Sequence, residues 1–252
     1  MLSVIIITKN EAHAIADCLR SVAWADEIII VDSGSTDNTI NICEQFGAKV
    51  TVTENWPGFG QQKNRALALA THPWILSIDA DECVPEALQE EIKQAIASNA
   101  DASYRMPRSS SYCGQFIRHS GWSPDYVTRL FKRGYGRFSN DLVHERLLTD
   151  HPTKTFKSPL LHISYVNLEE VLDKVNRYST DGAMMLHQRG KSASLGKAIN
   201  HGIWAFFRTY FIRRGFLDGK MGFILAVSNA ETTYYRYLKL ALLNPTKSSK
   251  KQ

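Results

Sequence analysis

The sequence predicts an α/β protein with a Rossmann-like, mostly parallel central sheet flanked by helices. Four short apolar runs, rich in β-branched residues, alternate along the N-terminal third of the chain with segments of helical spacing. Uninterrupted runs of this kind are typical of strands buried on both faces, as in parallel sheets. Thr8, Asp32 and Asp79 each come at the end of one run. Because the carboxyl ends of parallel strands meet at one edge of a sheet, we expect these three side chains to share a crevice.

The predicted strands follow from these runs, and the predicted helices lie between and after them. The strands cover residues 3–8 (SVIIIT), 27–31 (EIIIV), 50–53 and 74–78. Apolar residues at helical spacing predict helices over 11–22, around Ile40 and Cys43, over 61–70 and over 85–98. Ser35, Asp37 and Asn38 can cap the second of these helices, and Pro85 suits the first turn of the fourth.

The second half of the chain has a different pattern. Residues 101–165 predict mixed structure, with short strands near 104–107, 127–131 and 160–165. From Asn167 onward the spacing is helical, with breaks near Gly190 and at 215–222. The chain has no internal repeat.

Composition limits the class of protein. The 252 residues are 44% hydrophobic and 22% charged, as in an ordinary globular protein. The four cysteines form no C-x-x-C pair, which argues against a disulfide framework or a zinc knuckle. Met1 leads directly into a predicted strand, and no apolar run approaches the ~20 residues of a membrane-spanning helix. We therefore expect a cytoplasmic protein.

Charge is unevenly distributed along the chain. The net charge is +5, yet residues 191–252 carry eleven Lys and Arg against only Asp218 and Glu231. The remainder of the chain is therefore net acidic. Such an asymmetry indicates a basic surface segment that faces an anionic partner.

The stretch SIDADE, at 77–82, ends the fourth predicted strand with two carboxylates, Asp79 and Asp81. A carboxylate at the end of a buried strand is costly to desolvate unless it has a partner. Mg²⁺ and Mn²⁺ prefer one or two carboxylates together with phosphate oxygens. The D-x-D pair therefore predicts a divalent metal site, although an isolated D-x-D is more often a solvated turn.

Two common nucleotide-binding motifs are missing. The first strand is followed by TKNEA, where a dinucleotide-binding protein would have G-x-G-x-x-G. The nearest approximation, GFGQQK at 58–63, lacks the third glycine, and the chain has no Walker A motif.

Four motifs in a fixed order carry a more specific resemblance. They are SVIIITKNEA at 3–12, VDSGSTDNT at 31–39, QKNRAL at 62–67 and SIDADE at 77–82. Together they resemble the nucleotide-sugar-binding half of family 2 glycosyltransferases, which have the GT-A fold. The resemblance implies a UDP-sugar donor, Mg²⁺ or Mn²⁺, and donor-binding roles for Thr8, Asn10, Glu11, Asp32, Lys63, Asp79 and Arg129.

Individual donor-site roles follow from the same resemblance. Asp32 matches the aspartate that hydrogen-bonds uracil, and its carboxylate can accept from the uracil N3–H. Asp81 matches a metal ligand, and Asp79 is shared between ribose and the metal. The alternative for Asp32 is a cap or Asx turn, and for Lys63 and Arg65 a solvated helix face. Arg129 lies in the segment 120–133, which is an acceptor or phosphate loop or simply packs in the core.

The catalytic base is expected in the second half. Glu145, in NDLVHERL at 140–147, matches the acidic residue that the family uses to take a proton from the acceptor hydroxyl. Asp141 is the runner-up, and the alternative for Glu145 is a salt bridge to Arg146 or Arg137.

A histidine is expected to complete the metal site. His162 follows the next apolar run and suits this role, which His144 could also fill. The alternative for His162 is a hydrogen-bonded core histidine.

The C-terminal helices combine aromatic, apolar and basic residues. In 195–214 the apolar residues lie on one helical face, bordered by Arg208, Arg213 and Arg214. Helices of this composition lie on anionic membranes, although packing on the catalytic domain is an equal alternative. Nucleic acid is not expected, since no recognition fold is apparent.

The full chain resembles bacterial lipopolysaccharide core β-1,4-glucosyltransferases that act on inner-core heptose. VHE at 143–145, LLHISY at 160–165 and RRGFLDGKMGF at 213–223 extend the match. This implies UDP-glucose as donor and a lipid A–core glycolipid acceptor, with the enzyme peripheral at the cytoplasmic face of the inner membrane.

The same resemblance divides the chain into three parts. Residues 1–100 form the nucleotide-sugar-binding half and 101–166 the acceptor-binding, catalytic half of one domain. Residues 167–252 form a helical extension.

Two other functions compete with this interpretation. A nucleotidyltransferase also uses a metal bound by aspartate, but it needs a glycine-rich basic loop where TKNEA offers only Lys9. A non-catalytic nucleotide-sugar-binding protein at the membrane would have no need of a base such as Glu145.

Overall fold

The structure is a computed structural model, and it describes residues 1–140 and 145–243. Seven helices are described: α1 Ile15–Ser21, α2 Thr39–Gln45, α3 Phe59–Leu69, α4 Glu86–Ser98, α5 Leu168–Gln188, α6 Leu195–Phe207 and α7 Gly219–Leu243. A π-helical turn, Arg208–Ile212, and a 3₁₀ turn, Gly215–Asp218, lie between α6 and α7.

Twelve strands are described. The first six are β1 Leu2–Thr8, β2 Glu27–Asp32, β3 Lys49–Val52, β4 Trp74–Ser77, β5 Glu82–Cys83 and β6 Ser103–Tyr112. The others are β7 Gln115–Phe116, β8 Tyr126–Lys132, β9 Arg137–Phe138, β10 Leu147–Leu148, β11 Thr153–Thr155 and β12 Leu160–Tyr165. The four strands predicted from the N-terminal apolar runs are all present, and the short strands β5, β7, β9, β10 and β11 were not predicted.

The chain folds into two compact units. The first unit combines Met1–Ser109 with Asp125–Ile163. The second combines Ser110–Pro124 with the chain from Ser164 onward. Those candidate site residues that the structure describes belong to the first unit.

The sheet of the first unit confirms the predicted α/β class. Strands β3, β2, β1 and β4 lie side by side in that order, and all three pairs are parallel. Beyond β4, strand β8 is antiparallel to both β4 and β6, so the second half of the sheet is mixed. A parallel pair in this half joins β11 to β6, although the described residues between these two strands form no helix.

Alternation along β1 explains why this whole strand is buried. Val4 and Ile6 face one side of the sheet, where they join the core that contains Ile15 of α1 and Leu88 of α4. Ile5 and Ile7 face the other side of the sheet, where they pack in one cluster with Ala66 of α3. Complete burial of each such side chain contributes ~1.5–3 kcal/mol, which favours the parallel strand order over solvent-facing alternatives.

The second unit is mainly helical, as predicted. Tyr112, Ile117, Val171, Val175 and Leu225 form its buried core. Trp122 and Tyr165 stack against this core, with ring centroids 6.0 Å apart. In the part of the chain that is described, none of the helices combines the length and the apolar character needed to cross a bilayer.

Candidate active site

Two loops at the carboxyl ends of β1 and β2 are joined around Asp32. Thr8 and Asp32 are neighbours in the parallel register, and the Thr8 hydroxyl donates to Asp32 Oδ2 over 2.9 Å. Asp32 also accepts from the backbone N–H groups of Gly34 and Ser35 and from the Ser35 hydroxyl. Asp32 is fully buried. Its carboxylate therefore shapes the turn that follows β2, which is the Asx-turn alternative raised for this residue.

The loop after β1 is fastened to the loop after β2 by backbone and side-chain bonds. Asn10, at φ +57°, accepts a hydrogen bond from Thr36 N–H at its side-chain oxygen, and its own N–H donates to Ser35. Glu11 N–H donates to the Thr39 hydroxyl over 2.8 Å. The two sequence motifs thus form one interlinked surface, although they lie more than 20 residues apart in sequence.

Capping of α2 differs from the prediction. Asp37 accepts from both the N–H and the hydroxyl of Thr39. Ser35 instead bonds Asp32 and Asn10, and Asn38 makes no side-chain cap. None of the three side chains makes the predicted N-cap bond: Asp37 bonds Thr39 from the position before the N-cap, Asp32 engages Ser35, and Asn38 accepts from Asn41.

Asp79, at the end of β4, is held by two cations. Its Oδ1 lies 2.8 Å from Lys63 Nζ, and its Oδ2 lies 2.5 Å from Arg129 Nη2. Burial opposes ionisation of this carboxyl, but Arg129 and Lys63 outweigh it and hold the pKa of Asp79 well below its usual value. Asp79 is therefore an ionised and already neutralised carboxylate.

A second buried carboxylate, Glu82, completes this charge network. Its Oε1 lies 2.7 Å from Arg129 Nη2 and 3.6 Å from Arg108 Nη1, and its Oε2 accepts the Asp79 N–H. Burial dominates and raises the pKa of Glu82 despite the attraction of Arg129. The sequence argument did not assign Glu82 or Arg108, although Glu82 stands in SIDADE. The sequence did offer a sign that Glu82 belongs to the site, because it is a third acid directly after the predicted metal ligands Asp79 and Asp81.

The network places Arg129 in a buried position. Only 5% of Arg129 is exposed, and its guanidinium engages Asp79 and Glu82. These bonds make Arg129 a partner that positions Asp79. The predicted contact of Arg129 with a donor phosphate stays a prediction.

Lys63 links the two halves of the predicted site. This side chain on α3 is only 2% exposed, and its Nζ lies 2.6 Å from Glu145 Oε1 as well as next to Asp79. The solvated-face alternative is therefore wrong for Lys63, because its ammonium is buried between two carboxylates. Glu145 forms a salt bridge, as its alternative proposed, but the partner is Lys63 rather than Arg146 or Arg137.

Close approach of backbones makes this ion pair possible. A Cβ added to Gly60 of α3 would lie 1.7 Å from the Ser139 carbonyl oxygen and 3.4 Å from Glu145 Cβ. Only glycine permits α3 to approach this segment so closely. The two other candidates from this segment, Asp141 and His144, lie outside the described residues.

Asp81 and His162 lie in contact, and their shared role as metal ligands stays a prediction. The imidazole Nε2 of His162 lies 3.2 Å from Asp81 Oδ2, and Ile163 N–H donates to the Asp81 carbonyl. The antiparallel pairing of β5 with β12 brings His162 beside this turn. Both side chains are partly exposed, at 17% and 30%, so a ligand can reach them.

This pair fits a divalent cation only in part. A carboxylate and an imidazole supply two ligands, while both Asp79 oxygens already contact cations. Across residues 1–140 and 145–243, no group of three or more His, Cys, Asp or Glu side chains could hold a metal. The pair suits an ion whose remaining ligands are phosphate oxygens and water.

Comparison with known proteins is consistent along the whole chain. Residues 3–153 match the family described as glycosyl transferase family 2. An uncharacterized glycosyltransferase of Rickettsia felis is 35% identical, over 96% of this chain and 89% of the relative. The lipopolysaccharide core biosynthesis glycosyltransferase LpsC of Rhizobium meliloti is 31% identical, over 95% of this chain and 91% of the relative.

A crystal structure of S. aureus TarS 1-349 in complex with UDP is 19% identical. It covers 96% of this chain and 90% of that one, with a TM-score of 0.48. The family match spans more than half of the sequence and the Rickettsia relative nearly all of it, so the protein is a glycosyltransferase that belongs to glycosyl transferase family 2.

Proposed function

We propose that this enzyme is an inverting, metal-dependent hexosyltransferase that transfers glucose from UDP-glucose to the inner core of lipopolysaccharide. One observation carries the proposal: a single buried ammonium, Lys63, contacts both Asp79 and Glu145. A carboxylate suited to the role of base therefore lies beside the carboxylates of the D-x-D motif. The similarity to LpsC supports a lipopolysaccharide core acceptor.

The donor is held by the loops after β1, β2 and β4. Thr8, Asn10, Glu11 and Asp32 frame the uridine site, which is held in shape by the bond between Thr8 and Asp32 and by the bonds of Glu11 to Thr39 and of Asn10 to Thr36. The four hydrogen bonds that the Asp32 carboxylate accepts come from Thr8, Gly34 and Ser35. Asp32 reads the uracil N3–H by exchanging one hydroxyl donor, from Thr8 or Ser35, which can rotate away.

Asp81 and His162 would hold the metal, Mg²⁺ or Mn²⁺, and Asp79 would be a further ligand or would accept hydrogen bonds from water around it. When bound, it supplies positive charge that stabilises the leaving diphosphate. Lys63 and Arg129 neutralise Asp79 and fix its orientation. This division of roles follows from the partners of each carboxylate: Asp79 has two cations, and Asp81 has an imidazole.

Glu145 acts as general base. Its carboxylate accepts the proton of the acceptor hydroxyl while the hydroxyl oxygen bonds to the anomeric carbon and the bond from that carbon to UDP breaks. One displacement inverts the configuration and needs no covalent enzyme intermediate. Lys63, 2.6 Å from Glu145 Oε1, orients the carboxylate for this transfer.

The acceptor is a lipid A–core glycolipid, and the enzyme works at the cytoplasmic face of the inner membrane. The basic C-terminal helices, which carry most of the excess positive charge, support contact with an anionic membrane surface. We expect no nucleic-acid partner.

A donor screen tests the proposal. Each UDP-sugar is added with Mn²⁺, and UDP release is measured with and without a heptose-containing acceptor. We expect acceptor-dependent release with UDP-glucose, and at least a hundredfold loss in Glu145→Ala and Asp81→Ala. Equal release with every UDP-sugar, or full activity of either variant, would overturn the assigned donor or roles. Pyrophosphate release from UTP and a sugar phosphate would instead reveal nucleotidyl transfer.

A further inference from the structure

The C-terminal end of α6 and the segment between α6 and α7 expose a row of apolar side chains that are close together in sequence. We call this row the apolar ridge; it consists of Trp204, Phe207, Phe211, Ile212, Phe216 and Leu217. Each of the six is between 46% and 56% exposed. Contiguous exposed apolar surface of this kind marks a binding surface rather than the scattered apolar residues of an ordinary protein exterior.

Backbone geometry holds the ridge in place. The π-helical turn is closed by the bond from Arg213 N–H to the Arg208 carbonyl, at 2.8 Å, and it adds a residue to the helical turn. Such insertions re-aim side chains and are frequent at functional sites. Here the wide turn leaves both Phe211 and Ile212 exposed after Phe207.

Aromatic contacts make the ridge a preformed surface. Trp204 stacks on Phe207, and Phe207 lies 5.2 Å from Phe211 between ring centroids. Phe206 and Tyr210 pack edge-on against Phe223, and both also contact Phe211. These contacts with other rings of the chain hold Phe211 and its neighbours in position without a ligand.

The exposed charges of residues 195–230, which contain the ridge, are all positive, and the partly exposed Glu231 follows this range. Residues 195–230 contain five Lys and Arg side chains, all of them exposed: Lys197, Arg208, Arg213, Arg214 and Lys220. The single acid in the same range, Asp218, is buried. Its carboxylate accepts from the backbone N–H groups of Arg118 and His119 and from the Ser120 hydroxyl. No carboxylate of 195–230 therefore reaches the surface beside the ridge.

The helix α5 provides a contrast within the same unit. It also exposes apolar residues, including Leu172 and Met185, each at 49%. However, these alternate with the exposed acids Glu169, Asp173 and Asp181. An anionic surface would attract the ridge more strongly than α5, whose four acids outnumber its two cations, Lys174 and Arg177.

We propose that the ridge inserts into an anionic phospholipid leaflet while Arg208, Arg214 and Lys220 bind the lipid phosphates. Exposed aromatic residues bordered by cations are the composition of interfacial helices. A second copy of this chain is a poorer occupant, because a twofold interface through the ridge would bring the cations of 195–230 of both copies together. This inference rests on the membrane partner proposed above and specifies the residues that make the contact.

Vesicle sedimentation of the full-length protein tests the inference. Vesicles of phosphatidylcholine and phosphatidylglycerol at 3:1 are compared with pure phosphatidylcholine. We expect tight binding only to the anionic vesicles. Replacing Arg208, Arg214 and Lys220 together by Gln should weaken binding about a hundredfold, since each cation contributes roughly fivefold. Phe216→Gln with Leu217→Gln should weaken it at least tenfold.

A matched control distinguishes binding through the ridge from binding through any exposed apolar side chain. Leu172→Gln with Met185→Gln removes equally exposed side chains from α5 and should leave binding unchanged. Blue-shifted fluorescence on binding, lost in Trp204→Phe, should report insertion of Trp204. Circular dichroism melting confirms that each variant is folded.

Several outcomes would overturn the inference. One is that the protein does not bind vesicles, or binds them equally with and without phosphatidylglycerol. Another is that the α5 control loses as much vesicle binding as the ridge variant. The third is a dimer in solution that Phe216→Gln with Leu217→Gln dissociates. Transfer to a soluble, deacylated heptose-containing oligosaccharide serves as the separate readout. If the wild type transfers to it and ignores vesicles, only the ridge inference fails; if it binds vesicles but transfers nothing, only the proposed function fails.

Discussion

Lys63 and Glu145 form a salt bridge of 2.6 Å across 82 residues of sequence. The same ammonium contacts Asp79, so one buried cation holds the predicted base and the first D-x-D carboxylate together. Because Lys63 is the shared partner, a shift of Asp79 or of Glu145 would also move the ammonium that holds the other carboxylate. The salt bridge is thus the structural link between the donor and acceptor functions proposed for this enzyme.

Lys63→Met should disrupt both functions. Removing a buried cation leaves Glu145 unpaired and Asp79 with only Arg129, at a cost of ~3–5 kcal/mol in the free energy of unfolding. We expect kcat to fall at least a hundredfold at saturating donor, measured as UDP release. Arg65→Met removes a neighbouring cation on α3 that contacts Asn55, and it should cost less than ~1 kcal/mol. Equal effects of the two substitutions would argue against a special role for Lys63.

Arg129→Met should destabilise the first unit strongly. Asp79 and the fully buried Glu82 would lose their shared cation, again at a cost of ~3–5 kcal/mol. Adding Glu82→Gln should recover part of this loss, because the amide removes a buried charge yet still accepts the Asp79 N–H. Urea unfolding of the single and double variants gives the comparison. Strict additivity of the two substitutions would mean that the residues act independently.

Glu27 predicts a pH dependence of stability. Burial opposes its ionisation, but hydrogen bonds from Lys49, Ser3 and Thr71 lower the pKa of Glu27 from 4.5 to about 2. A depressed folded-state pKa stabilises the protein fully above the unfolded-state value of 4.5, and this stabilisation is lost as the pH falls toward 2. The contribution at pH 7 is at most about 3 kcal/mol.

Urea unfolding of wild type and Glu27→Gln at pH 7, 5, 4 and 3 checks this. The difference in unfolding free energy should be constant between pH 7 and pH 5 and shrink below pH 4.5. Lys49→Met removes one exposed partner of Glu27. Its unfolding free energy should therefore differ from that of the wild type by less than that of Glu27→Gln does. A difference that grows on acidification would contradict the assignment.

His162→Ala and Asp81→Asn should each weaken Mn²⁺ binding in the presence of UDP by at least tenfold, since each removes one of two proposed protein ligands. Electron paramagnetic resonance of free Mn²⁺ gives the affinity directly. His187→Ala, an exposed residue of α5, is the control and should bind Mn²⁺ as the wild type does. Unchanged affinity in His162→Ala would remove His162 from the metal site and leave its bond to Asp81 as a structural contact.

Gly60→Ala should damage the site through packing alone. The added methyl group would meet the Ser139 carbonyl, which forces α3 away from the segment that carries Glu145. We expect a loss of ~1–3 kcal/mol in stability together with reduced kcat. Gly196→Ala places the same methyl group on α6, where nothing lies within 4 Å, and should be neutral or slightly stabilising. Wild-type activity in Gly60→Ala would show that the close approach is dispensable.

Local patterns were sufficient to predict the parallel half of the sheet and the position of the D-x-D pair. The run at β1 could be assigned because β-branched residues without polar interruption fit only a strand buried on both faces. The pairing of Asp81 with His162 is expected only from the family resemblance, because His162 lies within β12 and no local pattern links it to Asp81.

Long-range partners could not be predicted in this way. Nothing near Lys63 in sequence indicates that Glu145 will be its partner, since this pairing depends on how closely α3 can approach Ser139. The burial of Arg129 depends likewise on Glu82, which lies 47 residues away. The part that Asp32 plays in the turn after β2 could be recognised only from the positions of Thr8 and Ser35, whose hydroxyls donate to its carboxylate.

The four hydrogen bonds to Asp32 have a consequence for the thermodynamics of binding. They order the loop after β2 when the chain folds, so a ligand that enters later finds a rigid surface and restricts little additional backbone motion. Ligand association should then carry a small entropic penalty and a heat-capacity change set by the ligand's own buried surface. Evolutionary change of ligand preference would be easier at side chains around this loop than at Asp32, because a substitution there would loosen the frame itself.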